Sequence, residues 1–271
     1  EKGASINHAI NDGATPLFVT CQQGHESTAR LLLGKGAAID LAIYDGRTPL
    51  YIACQFGHES TARLLLDKGA SIDLAMNEGS TPLYIACQHG HELVVRLLLD
   101  RGATLDRANH HSNTSLIIAC AFGIEAVVRL LARAGADLDH RANDGLNAED
   151  VARDTDNDDI AAWLAASRGF TALHFACDAR DHAGALALLR RGCVPDVGAR
   201  SNDGQTALQV ALLTDAPMAL PLCEETAALM RAAATPWRPG THRVWPESFR
   251  IRGVFSLLCV AKFGEGWAAL P

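Results

Sequence analysis

The chain has 271 residues, 48% of them hydrophobic and only 6% aromatic; Leu and Ala supply most of the apolar content, which suits short packed helices rather than sheets. A formal charge of -7 argues against broad adhesion to nucleic acid or anionic lipid. No apolar run approaches the roughly 20 residues needed to cross a bilayer, and the first residues do not read as a signal peptide.

In chain order, the first strong signal is Thr15-Pro16-Leu17. It returns at intervals of 33 residues as Thr48-Pro49-Leu50 and Thr81-Pro82-Leu83, and Thr114-Ser115-Leu116 continues the register. Thr is a good N-cap and Pro suits the first helical position, so each triplet opens a helix. Leu50, Ala53 and Cys54 then share one buried face, and Gly57 ends the helix with a left-handed residue. A second helix carries Leu64, Leu65 and Leu66 and stops at Gly69. The connection that follows, ASIDLAMNEG, has turn chemistry at Asn77-Glu78-Gly79 and reads as an extended finger. Helices this short are marginal alone in water, so the units must be stabilised by stacking.

The phrases DGATPLFVTCQQGH, DGRTPLYIACQFGH and EGSTPLYIACQHGH, each followed by RLLL and Gly-Ala, resemble ankyrin repeats. The resemblance covers about residues 1–168 and returns in GFTALHFACDARDHAGALALLRRG and NDGQTALQVAL. It implies a mainly α solenoid of helix-turn-helix units with finger hairpins. The expected organisation is an array over 1–168, a second pair of units over 169–236, and a C-terminal segment over 237–271. Since EKGASI at the start matches DKGASI at 67–72, the chain is expected to begin inside a longer array.

Departures from the pattern carry their own expectations. The His that usually follows the TPL triplet is replaced by Phe18, Tyr51, Tyr84 and Ile117, and stands only at His174. The fourth unit has Ser112 where Gly13, Gly46 and Gly79 stand, Ser115 for Pro, and Ile124 for the turn His, so its finger should be the least regular. Thr28 and Thr61 replace the apolar Val94 and Val127, so the first two units should bury less apolar surface. Asn147 to Thr171 spans only 24 residues, which leaves the fifth unit without a finger and should bend the stack or end a sub-array. Asp158 and Asp159 are expected near a helix start.

From Pro236 on, two tryptophans and three prolines precede a helical pattern from Glu247 in which Phe249, Val254, Leu257 and Leu258 can share a face. Arg231, Arg238, Arg243, Arg250 and Arg252 read as a solvated face. This segment is expected to cap the last unit, the alternative being a docking element for a ubiquitin-ligase subunit.

Cys21, Cys54, Cys87, Cys120 and Cys177 occupy one repeat position, and His25, His58 and His91 follow the helix-ending Gly. Zinc needs about four ligands within roughly 2.0 to 2.3 Å, whereas stacked units repeat every 8 to 10 Å or so. The cysteines therefore read as small apolar core groups and the histidines as local turn partners. The same spacing disfavours disulfides and points to a reducing, intracellular setting, cytoplasmic or nuclear. Cys193, Cys223 and Cys259 lie outside this rule. Gly264-Glu265-Gly266-Trp267-Ala268-Ala269 has the letters of a dinucleotide fingerprint with no room for the helix that must follow. With no phosphate loop or nucleophile elbow, no cofactor, small-molecule substrate or enzyme activity is expected.

What remains is a surface. In the repeats that the chain resembles, fingers and first helices line a concave side that binds partner proteins. Positions that vary from unit to unit there are Asn11, Asp12, Tyr44, Asp45, Asn77, Glu78, His110 and His111 at the tips. At the first-helix ends they are Gln22, Gln23, Gln55, Phe56, Gln88, His89 and Phe122. Amides mixed with aromatic anchors suit a protein interface, and the acidic tips favour a partner carrying Lys or Arg. His110 and His111 raise a pH-sensitive contact. The expected role is a non-catalytic scaffold; the alternatives are a ubiquitin-ligase substrate adaptor and a regulatory segment of a larger enzyme or channel.

Overall fold

The computed structural model describes residues 5–171 together with 174, 175, 201 and 204. The predicted Arg-containing tail, its cap helix, and Cys177, Cys193, Cys223 and Cys259 lie outside the described residues. The chain divides into two compact units, Glu1–Leu164 and Ala165–Pro271.

Among the described residues there are ten helices and no strand. Each repeat gives a short first helix and a slightly longer second one: α1 (Pro16–Gln22) and α2 (Glu26–Gly34), α3 (Pro49–Gln55) and α4 (Glu59–Asp67), α5 (Pro82–Gln88) and α6 (Glu92–Asp100), α7 (Ser115–Ala121) and α8 (Glu125–Arg133). The fifth pair is α9 (Ala148–Asp154) and α10 (Asp158–Ser167), which does begin at the predicted acidic pair. First helices pack in one row from α1 to α9, second helices in another from α2 to α8. The result is the expected mainly α repeat solenoid.

The start signals act as the sequence implies. Thr48 and Thr81 each accept the N–H three residues on at 3.1 Å. Asn147 does the same from Asp150, whose carboxylate returns the bond and closes a capping box. Where His174 follows the triplet position, its ring lies against the cap residue, with Nδ1 2.8 Å from Thr171 Oγ1. Tyr51 instead donates its hydroxyl to Met76 Sδ of the next finger.

Leu17, Leu50, Leu83 and Leu116 are all buried, one per layer. Each contributes about 1.5–3 kcal/mol by leaving water. The second row fills unevenly, as expected: α2 buries only Ala29, whereas α6 buries Val94, Val95, Leu97 and Leu98. Thr61 is fully buried and its hydroxyl is unpaired.

The fingers hold the units in register without a strand ladder. Each closes on itself, as when Ile43 N–H donates to Arg47 O at 3.0 Å. The fourth finger corrects an expectation, because it keeps the same closure from Asn109 to Asn113 and the same tight turn. Ser112 takes the left-handed conformation (φ 59°) that Gly46 takes in its place, and Asn109 Oδ1 accepts from the N–H groups of His111 and Asn113. A side chain thus secures a turn that glycine secures by conformational freedom.

Two further bonds cross each of the boundaries at Ser71 and Thr104. Asp40 accepts from the N–H and hydroxyl of Ser71, and Asp73 from those of Thr104. At the next boundary Asp106 meets the N–H of Asp137, so the hydroxyl is replaced by a second carboxylate.

The cysteine row lies in the core. Burial pushes the Cys21 and Cys120 thiols up from about 9 to about 12 and raises those of Cys54 and Cys87 as well. They are neutral, unreactive core groups at neutral pH.

Two stability predictions follow from these cores. Thr61→Val removes an unpaired buried hydroxyl at no loss of volume and should stabilise by about 1 kcal/mol, read as a rise in Tm of about 2–4 °C; an unchanged or lower Tm would show that the hydroxyl is satisfied. For the thiols, folded and unfolded states are both neutral below pH 9 or so. Above it only the unfolded thiols ionise, so stability should fall as pH rises from about 9 towards 12. The slope contributed by each thiol is about 1.4 kcal/mol per pH unit. Urea unfolding of Cys21→Ala should show a shallower alkaline decline than the parent chain, and superimposable declines would sink the assignment.

Candidate protein-binding surface

The fingers place their tips in one row. The N–H groups of Tyr44, Asn77, His110 and Asn143 donate to the carbonyls of Asp12, Asp45, Glu78 and His111, at 2.9 to 3.3 Å. Every predicted tip residue from Asp12 to His111 therefore stands beside its counterpart in the next unit. Asn11, Asp12, Tyr44, Asn77, Glu78, His110 and His111 are exposed and Asp45 is half-buried.

Several of these side chains already serve the scaffold. Asp12 Oδ1 accepts from Ala14 N–H at 2.9 Å, and Asn77 Nδ2 donates to Tyr44 O at 3.0 Å. Asp45 accepts from the N–H of Arg47 and pairs with its guanidinium at 2.7 Å. The acidic tip row inferred from sequence is thus weakened at Asp45 by a cation two residues on, while Tyr44, the most exposed large apolar side chain among the described residues, points its ring to solvent.

The first-helix ends form a second row. Gln22, Gln55 and Gln88 are the last residues of α1, α3 and α5 and are half-buried; Gln23, Phe56, His89 and Phe122 are the C-cap residues that follow α1, α3, α5 and α7, and all four are exposed. Phe56 stacks on His58 with ring centroids 6.3 Å apart, and His89 on His91 at 6.0 Å. Gln55 Oε1 is buried there with no hydrogen-bond partner. Burial lowers the His89 pKa below the ordinary imidazole value, and the neighbouring His91 lowers it further, so at neutral pH this row is uncharged at His89.

The turn histidines correct the sequence reading. They do not satisfy local groups: His58 Nε2–H donates to Gln22 O and His91 Nε2–H to Gln55 O, both at 3.0 Å and 36 residues apart in sequence. Each ring closes the preceding unit's first helix by capturing a carbonyl that the helix leaves unpaired. Gly57 has φ +71°, and a Cβ there would lie 2.5 Å from His91 Nδ1, so the glycine is needed both for its conformation and for room. Where Ile124 replaces the His, the ring is gone; one unit later Asn157 restores the contact by donating to Cys120 O at 3.2 Å. The signal that could have shown this is the constant offset of each His from the Gln that ends the preceding first helix.

The same geometry separates the Cys and His that look like ligands in sequence. Cys54 faces the core, while His58 reaches back to the unit before. Among the described residues no three His, Cys, Asp or Glu side chains converge, and no helix is long and apolar enough to cross a membrane.

A family model described as Ankyrin repeats (3 copies) matches residues 2–76 and 68–144, and one described as Ankyrin repeat matches residues 168–202. No curated protein compared with the chain matches it. The repeat models span more than half of the sequence in the register set by the Thr-capped helices. The chain belongs to the ankyrin repeat family, whose repeats are generic protein–protein interaction modules.

Proposed function

We propose that this chain is a non-catalytic scaffold that binds a partner protein inside the cell through the surface formed by the finger tips and first-helix ends. The observation that carries the reading is the C-cap row, where Phe56, His89 and Phe122 stand exposed at equivalent places in consecutive units. Nothing in the fold requires a large ring at that position, since Gln23 fills it in the first unit. Exposed aromatic side chains beside half-buried amides are the usual anchors of protein interfaces.

The chemistry of the partner follows from the row. Apolar side chains would cover Phe56 and Phe122. A Lys or Arg would meet Asp12 and Glu78, the tip acids without an Arg beside them. The reducing interior of a cell suits four free thiols held in one core. In this reading residues 1–168 are the recognition array, 169–236 a second pair of units and 237–271 a terminal segment.

The test is affinity capture from source-cell lysate with the chain, with a Tyr44→Ala, Phe56→Ala, His89→Ala, Phe122→Ala variant, and with a chain lacking Trp237 to Pro271. All four replaced side chains are exposed, so Tm should move little. A partner of the row should bind the variant at least about tenfold more weakly and bind the shortened chain unchanged. A partner retained by the variant and lost on shortening would move recognition to the terminal segment and support the adaptor alternative.

A further inference from the structure

Met76, Met218 and Met230 are the three methionines of the chain, and Met76 alone lies among the described residues. It stands in the third finger at the position held by Ile43 in the second, Asn109 in the fourth and Ala142 in the fifth. Finger closure uses only its backbone: Met76 N–H donates to Ser80 O at 3.0 Å, and its carbonyl accepts from Gly79 N–H at 2.9 Å. The side chain is therefore not dictated by the closure, and a thioether brings a chemistry that isoleucine, asparagine and alanine lack.

Met76 is half-buried and packs against the core, so its side chain is not sealed from solvent. Its sulfur accepts the hydroxyl proton of the buried Tyr51 at 3.2 Å. Burial pushes the Tyr51 phenol up to about 12, so it remains a donor at neutral pH. A thioether is a weak acceptor, whereas its sulfoxide is polar. An oxygen added to Sδ would thus find a hydrogen-bond donor already beside it.

A shift of Met76 would carry the tip with it. A Cβ on Gly46 would meet Met76 Cα at 3.0 Å and Asn77 N at 2.7 Å, so the second and third fingers are in close contact here. Asn77 N–H donates to Asp45 O at 2.9 Å, Asn77 Nδ2 to Tyr44 O at 3.0 Å, and Glu78 O accepts from His110 N–H at 3.0 Å. Three bonds between tips therefore lie within two residues of Met76.

We propose that Met76 is a site of reversible oxidation by a hydroperoxide, and that its sulfoxide releases the third finger tip from its neighbours. A lone pair of Sδ attacks one peroxide oxygen; the S–O bond forms as the O–O bond breaks, and the proton of the attacked oxygen passes to the leaving oxygen. Sulfur loses two electrons, and the peroxide is reduced to water or an alcohol. No oxygen fits between Tyr51 Oη and Sδ at 3.2 Å, so the thioether must withdraw for the hydroxyl to take the new oxygen. The loss of Asn77 and Glu78 from a partner's reach rests on the proposed binding surface; the oxidation itself does not.

The test needs no partner. The full chain and a Met76→Leu variant are treated with hydrogen peroxide beside N-acetylmethionine, mapped by peptide mass, and compared by amide exchange before and after. Met76 should gain one oxygen, and the N–H groups of Asn77 and His110 should then exchange at least about tenfold faster, with Ile43 as the unchanged reference. Methionine sulfoxide reductase with a thiol reductant should reverse both changes. The treated Met76→Leu chain should keep slow exchange, which separates the effect from Met218 and Met230. Met76 left intact while N-acetylmethionine is consumed would overturn the proposal. So would oxidation of Met76 without faster exchange at Asn77 and His110, or equal acceleration in the Met76→Leu chain. Partner capture by the aromatic row is read in a separate experiment, so the two proposals fail separately.

Discussion

A helix of seven residues does not persist alone in water, because its nucleation is unfavourable and most of its end groups go unpaired. Every first helix from α1 to α9 is of that length. The stack is what each of them depends on, and it acts in two ways. It removes a leucine, a cysteine and other apolar side chains from water in each of the first four layers. It also supplies hydrogen-bond partners to helix ends that cannot satisfy themselves, through His58, His91 and Asn157, each reaching back to the unit before. Apolar burial sets how strongly units adhere; the returning donors set the register in which they do so.

That division explains what could be read from the sequence. Caps, helix ends and the period are local, so Thr48, Pro49, Gly57 and Gly69 announce them within a few residues. The mainly α solenoid was legible for that reason. Contacts between units were not, because their partners lie 31 to 37 residues apart and become visible only once the stacking register is known. The turn histidines were read as serving their own turn, and Asp40 and Asp73 were not singled out at all. The fourth finger was expected to be irregular on the strength of Ser112, whereas Asn109 and the neighbouring tips hold it to the common form. For the candidate surface, sequence variation located both rows, but it could not show that Asp45 is paired with Arg47 or that Gln55 Oε1 is buried and unpaired.

The repeats also show where the scaffold absorbs imperfect sequence. At the boundary between the third and fourth units Asp73 gains both an N–H and a hydroxyl from Thr104, while one boundary later Asp106 gains an N–H alone and faces a second carboxylate at Asp137. The turn histidine is lost one boundary earlier, where Ile124 stands, and at the later boundary the amide of Asn157 takes its place. Other bonds offset that loss, because Ser112, His140 and Asn143 link the fourth and fifth fingers through their side chains, and the apolar core of α8 keeps Val127, Val128, Leu131 and Ala132 buried.

The C-cap position of the first helix is the place where such a scaffold can carry information at least expense to itself. Its backbone N–H is used twice in the helix's own ending, as at Phe56, which bonds to Cys54 O and Ile52 O, so the fold constrains the backbone there and leaves the side chain free. In the first two units the residue before it presents a carbonyl to the next unit's histidine, and in all four the residue after it is glycine. One free side chain between two fixed groups, repeated once per layer, gives a row whose spacing is set by helix packing and whose chemistry is not. Gln23, Phe56, His89 and Phe122 differ in size and polarity while their exposure is common, and the rings at Phe56 and His89 also lie against the histidines that bridge the units.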